Sequence, residues 1–547
     1  VRVMRHSDHT KRQNPPHCCK GAQQPKPVLY LNQWTKPLSH TTVCLYPIRG
    51  IAATGMTGCD VEERLGNSCQ IVTLGDQQNS LSTPMAFSSS SPTKNASEQL
   101  AEFCANLRFK YIPDNVIAHI KLSILDGLGC CLVGSTLPWT RKVRDMIDAE
   151  STASVASLLG SSDKVSLSGA ILVNATAGHA FELDDIHREA ILHPNSIAVP
   201  VALNTAEFLG GASGKDVLTA IIAGYEVGNR VGAAAGTDLL LRGFHPQGAV
   251  GPFCGAATAS SMMRLSADET RNALGIAGSF GSGLMAAQEG AMVKRLHSGH
   301  AAEAGVRGAL LAKRGFSGIS DVVEAEYGGF LSTFSGGMNI ERATIGLGST
   351  WETLATGFKP YATVTSIHSA LDALDIIMRD NNLVADDISH IHAGVSHPTY
   401  VHCAWPYEAQ SITAAQMNIY YGLTMIALFG EAFVQQFDAD KISDPKVMAF
   451  TNRISASVDP DIEGRGHAFR HMARVRVETM DGQIFEQEVI HRRGSPENAI
   501  SSADVTAKFQ TLAASVLTPE AINDVITIVD TLDDQQDMSA LMRALTP

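Results

Sequence analysis

The feature that most constrains the fold is a helical periodicity that recurs through much of the chain. A first amphipathic helix is expected to be capped by Ser97, since apolar residues follow at the i, i+3, i+4 and i+7 spacing: Leu100, Phe103, Cys104 and Leu107. From there to about residue 350 one helical pattern follows another, rich in alanine and glycine. Small residues let helices approach closely, so the stretches 251–263 and 278–291 are predicted to be tightly packed core hairpins.

The pattern changes after about residue 357. Alternating apolar residues around Ile391 and Val475 predict strands, and Asp481-Gly482 predicts a two-residue hairpin turn. A helical run from about 411 to 437 lies between these strands, and helical periodicity returns near residue 500. The sequence therefore predicts a mainly α fold, in which a large helical domain over 95–356 and 496–547 is interrupted by a smaller α+β lid domain over 357–495.

Residues 1–94 differ from the rest in lacking this periodicity. The first fifty residues contain eight Lys or Arg and a single acid, Asp8, which is typical of a transit peptide. The alternative is an upstream segment outside the true protein, which would then start at Met85. We therefore expect a disordered leader or a mis-assigned upstream segment, and a cytoplasmic or mitochondrial location.

Composition excludes several classes of function. The net charge of −13 argues against nucleic acid as a partner, because phosphate binding needs a basic surface. The ten cysteines include no C-x-x-C pair, so neither a zinc site nor an iron–sulfur cluster of the usual spacing is expected. No uninterrupted apolar run approaches the ~20 residues that span a bilayer. We expect no metal, no other cofactor and no membrane partner.

The first group of candidate chemical residues lies in the stretch 181–194. It contains four acids and two histidines, among them Glu182, Asp184, Asp185 and His193. Such a group could form an acid/base pair or a metal site. The structural alternative is that the two aspartates cap a helix and that His187 lies on the surface.

The second group is Lys294, Arg295 and His297. On a helix Lys294 and His297 would share a face, while Arg295 would point elsewhere. Glycine and alanine flank these residues, which indicates that the charges lie in a packed region where a bound carboxylate would neutralise them. The alternative is an internal ion pair with Asp184 or Glu289.

Together these stretches resemble the MmgE/PrpD family over about residues 97–545. The resemblance rests on the order and spacing of seven motifs: Glu182-Leu183-Asp184-Asp185, His193-Pro194, Gly243-Phe244-His245, Met292-Val293-Lys294-Arg295-Leu296-His297, Tyr327-Gly328-Gly329-Phe330, Lys359-Pro360-Tyr361 and Gly494-Ser495-Pro496-Glu497-Asn498. The family includes 2-methylcitrate dehydratase and cis-aconitate decarboxylase. The resemblance implies a cofactor-independent lyase for a tricarboxylate, with a helical domain, a lid domain and a homodimeric assembly.

The resemblance also implies roles for individual residues. The expected catalytic residues are His193, His245, Lys294, Asp184 and His297. The expected substrate-binding residues are Glu182, Asp185, Lys359, Tyr400 and Arg295. Two positions depart from the family pattern, since Val364 stands where the animal decarboxylase branch has histidine and His300 where many relatives have arginine. The segment 400–405 looks instead like the fungal decarboxylase branch.

Two reactions remain open for such a pocket, because both need cations for the carboxylates and a proton donor. We predict dehydration of a citrate-type acid, either 2-methylcitrate or another 2-alkylcitrate, because dehydration covers more of the family and Val364 removes a decarboxylase-like histidine. His368, from the next turn, is the candidate to replace that histidine. The alternative is decarboxylation of cis-aconitate to itaconate. A third possibility is a non-catalytic binding relative.

Overall fold

A computed structural model of the protein describes residues 94–547. The predicted leader and the alternative start at Met85 lie outside the described residues. Within them helices predominate and strands are few, which confirms the prediction of a mainly α fold.

The first part of the described chain is helical. Its helices are α1 (Ala96–Asn106), α2 (Asp114–Ser135), α3 (Pro138–Glu150), α4 (Leu167–Gly178), α5 (Asn195–Phe208), α6 (Gly214–Leu241), α7 (Pro246–Met262), α8 (Ala267–Gly278), α9 (Val293–Ala312), α10 (Phe330–Phe334) and α11 (Ile340–Thr344). Two short antiparallel pairs accompany them: β1 (Ala156–Ser157) with β2 (Lys164–Val165), and β3 (Ile186–His187) with β4 (Thr356–Gly357).

The predicted cap of α1 is wrong. Asn95 caps the helix, and its side chain accepts a hydrogen bond of 2.8 Å from the backbone N–H of Glu98. Ser97 lies two residues further on, in the first turn, and is buried, and its hydroxyl donates to Glu324 over 2.7 Å. Both side chains suit a helix start, but Asn95 is the residue with extended backbone geometry.

Small residues bring the central helices into close contact, as predicted for 251–263. A Cβ atom on Gly305 of α9 would lie 2.5 Å from the backbone nitrogen of Ala256 in α7. The prediction for 278–291 is wrong, because α8 ends at Gly278 and only a 3₁₀ turn at Met285–Glu289 follows. The small residues of that stretch serve a loop rather than a helix pair.

The second part combines helices with a four-stranded sheet. Its helices are α12 (His368–Asp380), α13 (His397–Cys403), α14 (Ile412–Met417), α15 (Ile419–Phe429), α16 (Ala439–Ile442), α17 (Pro445–Thr451) and α18 (Pro460–Gly464). The strands β5 (Ile388–Val395), β6 (Ile454–Val458), β7 (Ala473–Thr479) and β8 (Ile484–Val489) pair in the order β6-β5-β7-β8. The predicted strands are confirmed, and a hairpin through Asp481-Gly482 joins β7 to β8. Its turn is longer than the predicted two residues, because the backbone N–H of Thr479 donates to the carbonyl oxygen of Gln483 and leaves three residues between them.

The chain ends in the predicted helices, α19 (Ser502–Ala513), α20 (Pro519–Asp530) and α21 (Ser539–Ala544). In the described part, α2 alone has the length and apolarity of a membrane-spanning helix. Most of its residues are buried, and α19 and α4 pack against it. Helix α2 therefore has the environment of a core helix.

Two clusters of buried apolar side chains hold the fold together. The first combines α1–α9 with the C-terminal helices, and the second is built mainly from residues 361–489. The segment between α4 and α5 contributes to both, with Phe181 and Leu183 in the second cluster and Ala190 and Leu192 in the first. This segment carries the first group of candidate residues, so the fold places that group between the two cores. Whether the two parts are separate domains stays a prediction.

Candidate active site

A cleft opens beside the segment between α4 and α5. It has about 930 Å³ of empty space, a volume that includes its open mouth. Its walls come from both core clusters, with residues from the stretches 182–193, 237–246, 285–294, 359–366, 398–417 and 467–471. Five of the predicted site residues line it directly: Glu182, His193, His245, Lys294 and Lys359.

Glu182 is the centre of the charged wall. Its Oε1 atom accepts hydrogen bonds from Lys294 and from Arg295, and its Oε2 atom lies 3.4 Å from the Nζ of Lys359. Burial alone would raise the pKa of this carboxyl, but the three cations outweigh burial and hold the pKa well below its usual range. The backbone of Glu182 has a φ of 56°, in the left-handed region that residues other than glycine rarely adopt.

Lys294 lies at the start of α9. Burial lowers its pKa to about 8, and Glu182 opposes this shift. The sequence predicted that Arg295 would point away from the face of Lys294, with an internal ion pair to Asp184 or Glu289 as the alternative to a bound carboxylate. Instead both cations meet at Glu182, because two long side chains in one helical turn can converge on a single carboxylate.

Behind the cleft wall, Asp184 lies between two histidines. Its Oδ2 atom is 2.7 Å from the Nδ1 of His179, and its Oδ1 atom is 3.4 Å from the Nδ1 of His193. Burial raises the pKa of Asp184, but the histidines and Lys359 outweigh it and keep the carboxyl ionised. Burial lowers the pKa of His193 to about 3, so this imidazole is neutral in the empty cleft.

The three groups around Asp184 have the composition of a metal site. Their potential ligand atoms, from His179, Asp184 and His193, lie within 4.8 Å of one another. The Nζ of Lys359 is 4.0 Å from the Oδ1 of Asp184, however, and this ammonium group would repel a divalent cation. The absence of a metal therefore stays a prediction, with a physical argument in its favour.

Activity is accordingly expected to survive exhaustive chelation with EDTA and with 1,10-phenanthroline. The positive charge of Lys359 would occupy the place of a metal beside Asp184. The measurement compares turnover and metal content of the protein before and after dialysis against each chelator. Loss of turnover that added zinc or iron restores would show that the His179, Asp184 and His193 group binds a metal.

His245 and His297 form a second pair of imidazoles. Their Nδ1 atoms are 2.9 Å apart, so one ring donates to the other, and His297 lies behind His245 rather than on the cleft wall. Burial lowers the pKa of His245 well below its ordinary value and that of His297 to about 4. Both rings are neutral near pH 7, and an anionic ligand would make their protonation easier.

Three of the predicted substrate-binding residues lie outside the cleft lining, namely Arg295, Asp185 and Tyr400. Asp185 is fully buried, and it accepts hydrogen bonds from the Tyr225 hydroxyl at 2.6 Å and from the backbone N–H of Asn195 at 3.0 Å. Asp185 therefore anchors the start of α5. This role is close to the alternative interpretation of the sequence, in which the two aspartates cap a helix. Tyr400 is about one-third exposed on α13 and does not face the cleft.

Sequence reasoning missed several residues that line the cleft, above all His402, Arg470 and His471. Burial, together with the nearby Lys294, lowers the pKa of His402 to about 4. His402 falls in the segment 400–405 that resembled the fungal branch, and helical spacing from Thr399 would have placed it on the same face. Arg470 and His471 precede β7 in irregular chain, where no periodicity points to them.

Two profiles of one protein family match this chain, and together they span most of the described residues. Sequence profiles of the MmgE/PrpD N-terminal domain and C-terminal domain match residues 98–343 and 361–534. The chain is 32% identical over 482 residues to the cis-aconitate decarboxylase-like protein oryM of Aspergillus oryzae, which covers 84% of this chain and 99% of that protein. It is 32% identical to a cis-aconitate decarboxylase of Aspergillus terreus (82% and 95% covered) and 28% identical to that of Homo sapiens (83% and 95%).

Proposed function

We propose that this chain, which belongs to the MmgE/PrpD family, is a lyase that decarboxylates a cis-aconitate-type tricarboxylic acid. The observation that carries the proposal is the charge of the cleft wall. Lys294, Arg295 and Lys359 face the two carboxylates of Glu182 and Asp184, which leaves an excess of one positive charge beside an open cavity. An excess of buried positive charge favours an anionic ligand.

Decarboxylation needs an excess of positive charge beside the substrate. In cis-aconitate the carboxylate on the saturated carbon would leave as carbon dioxide, and its bonding electrons would form a new carbon–carbon double bond. The original double bond would pass its electrons to the far carbon, which lies next to another carboxylate. Cations that hold this carboxylate stabilise the developing negative charge, and a proton delivered to the carbon completes the reaction.

The cleft offers suitable proton donors. Lys294 has a pKa of about 8, so it is charged near neutral pH and can release a proton more readily than an ordinary lysine. His402 and His193 also line the cavity, and a bound trianion would raise their pKa values towards neutrality. We assign proton delivery to Lys294 or to His402.

The observation that favours decarboxylation over dehydration is the position of His402. The preference for dehydration rested on Val364, which cannot donate a proton. Val364 and His402 line the same cleft, so an imidazole is present even though residue 364 is apolar. His368 is outside the cleft lining, and its Nε2 atom is 3.2 Å from the carbonyl oxygen of Thr363. The similarity to proteins named cis-aconitate decarboxylase supports the same choice.

Dehydration remains the second candidate, because His193 beside Asp184 could protonate a departing hydroxyl group. The homodimeric assembly and the cytoplasmic or mitochondrial location also stay predictions.

Incubation with cis-aconitate is expected to release one carbon dioxide for each substrate consumed and to yield itaconate. Carbon dioxide is measured with carboxyl-labelled substrate, and the organic product by nuclear magnetic resonance. Citrate and 2-methylcitrate serve as parallel substrates. An aconitate-type alkene formed from these two acids, without carbon dioxide from cis-aconitate, would establish dehydration instead. No turnover of the three acids would favour the non-catalytic alternative.

A further inference from the structure

We infer that Arg470 binds a carboxylate of the substrate, at a position in the cleft separate from the cations around Glu182. The inference rests on the proposed function, in that the ligand is a tricarboxylic acid. Arg470 precedes β7 in the second part of the chain, and it lines the cavity together with His467 and His471.

The hydrogen bonds of Arg470 leave its charge without a counter-charge. Its guanidinium donates to the carbonyl oxygens of Arg188 and His467 and lies 3.3 Å from the Nδ1 of His467. Within residues 94–547 no carboxylate lies within 4.0 Å of it, although only 5% of the residue is exposed. A buried cation without an anionic partner is unfavourable, so the site favours the arrival of an anion.

Two acids of this region, Glu189, whose charge acts on Arg470, and Glu497, the partner of Arg188, are already engaged. Glu189 pairs with Arg342 at 2.7 Å, and Glu497 pairs with Arg188 at 2.7 Å. Burial and the nearby Arg188 lower the pKa of Arg470 to about 10, and Glu189 offsets only part of this shift. The guanidinium keeps its charge at neutral pH and remains available to a ligand.

Two other deeply buried cations in the described chain each have a carboxylate partner. Lys508 has Asp126 at 2.6 Å, and Arg230 has Glu226 at 3.3 Å. Arg492 resembles Arg470 in bonding to carbonyl oxygens, among them that of Phe358 at 2.9 Å, but it does not line the cleft. Arg470 therefore combines two properties, an unneutralised charge and access to the cavity.

A tricarboxylate carries more negative charge than the cations around Glu182 can neutralise, and Arg470 would hold the remaining carboxylate. The cations around Glu182 exceed the neighbouring carboxylates by one charge, whereas a tricarboxylate carries three negative charges. A second positive position is needed to hold another carboxylate. The planar guanidinium of Arg470 suits this because it can donate two parallel hydrogen bonds to one carboxylate.

The test measures binding and turnover in Arg470→Gln and Arg470→Lys. Binding is measured by calorimetry with tricarballylate, an unreactive saturated tricarboxylate, and with glutarate, which lacks its central carboxylate. Arg470→Gln is expected to weaken tricarballylate binding by about 10- to 100-fold, the usual effect of losing a hydrogen bond between charged groups. The KM for cis-aconitate should rise in parallel, kcat should change less, and Arg470→Lys should recover part of the affinity.

Arg492→Gln is the matched control, because it also removes a buried guanidinium bonded to carbonyl groups but lies outside the cleft. It should lower thermal stability without changing the affinity for tricarballylate. Should wild-type protein bind tricarballylate and Arg470→Gln bind it equally well, the inference is wrong while the proposed function stands. Should wild-type protein bind neither tricarballylate nor cis-aconitate, both fail. If Arg470→Gln does not fold, Arg470→Lys decides, since unchanged affinity and KM there would contradict bidentate binding.

Discussion

Replacement of Lys294 by methionine is expected to lower kcat/KM for the tricarboxylate substrate by at least about 10²-fold, the scale of one positioned electrostatic or proton-transfer group. Methionine keeps most of the side-chain volume but removes the ammonium group that faces the cleft and pairs with Glu182. Steady-state kinetics and a melting curve of the same preparation provide the measurement. Lys142→Met, on the exposed surface of α3, is the control and should behave as wild type. Near-normal turnover with a much lower melting temperature would show that Lys294 serves only an internal ion pair.

The same lysine should set the alkaline limit of activity. Its pKa is lowered to about 8, so its positive charge is present below that pH and is lost as the pH rises through it. In the proposed function this charge binds a carboxylate and can supply a proton, so kcat/KM is expected to fall above about pH 8. Lys294→Arg keeps the charge and should move this limb to higher pH, even where it lowers the maximum rate. An unchanged limb in that variant would assign the titration to another group.

Replacement of Glu182 by glutamine is expected to reduce the free energy of unfolding by about 3–5 kcal/mol, the usual cost of removing one partner from a buried ion pair. Glutamine has the same shape but cannot neutralise Lys294, Arg295 and Lys359, all of which are buried. Denaturant unfolding of ligand-free protein measures the effect, with the exposed Glu520→Gln as control. A stability equal to that of wild type would mean that water or another carboxylate compensates these cations.

A bound tricarboxylate should stabilise the Glu182→Gln variant more than the wild type, because the ligand replaces the missing negative charge. The pKa of Glu182 also determines how its contribution to stability changes with pH. The pKa of Glu182 is lowered in the folded protein, so its contribution to stability is present above the unfolded-state pKa. That contribution is lost as the pH falls through the acid range, and the difference between wild type and variant should shrink there.

The sequence predicted the part of the site that local motifs encode. Glu182, His193, His245, Lys294 and Lys359 stand in short stretches with a strong pattern, and they all line the cleft. The strands and the hairpin of the second part were also predictable, since alternation of apolar residues reports directly on a half-buried strand.

The parts that sequence could not predict depend on tertiary structure. Nothing in the spacing of Lys294 and Arg295 shows that both reach one carboxylate, because the loop that carries Glu182 decides this. Asp185 stands next to Asp184 but points into the core, where Tyr225 and α5 hold it. Arg470 comes from irregular chain almost 290 residues beyond Glu182, and only the packing of the two clusters brings it to the cavity.

The segment between α4 and α5 contributes apolar side chains to both cores. Glu182 and Asp184 alternate along this segment with Phe181 and Leu183 of the second core. A displacement of one core against the other would therefore pull on the backbone that carries these two carboxylates. Because Glu182 holds the three cations together from this segment, with its backbone in the left-handed region, a small shift would disorganise the cations before either core melts. Catalytic competence thus depends on the alignment of the two halves as well as on their folding, and heat should inactivate the protein below its melting temperature.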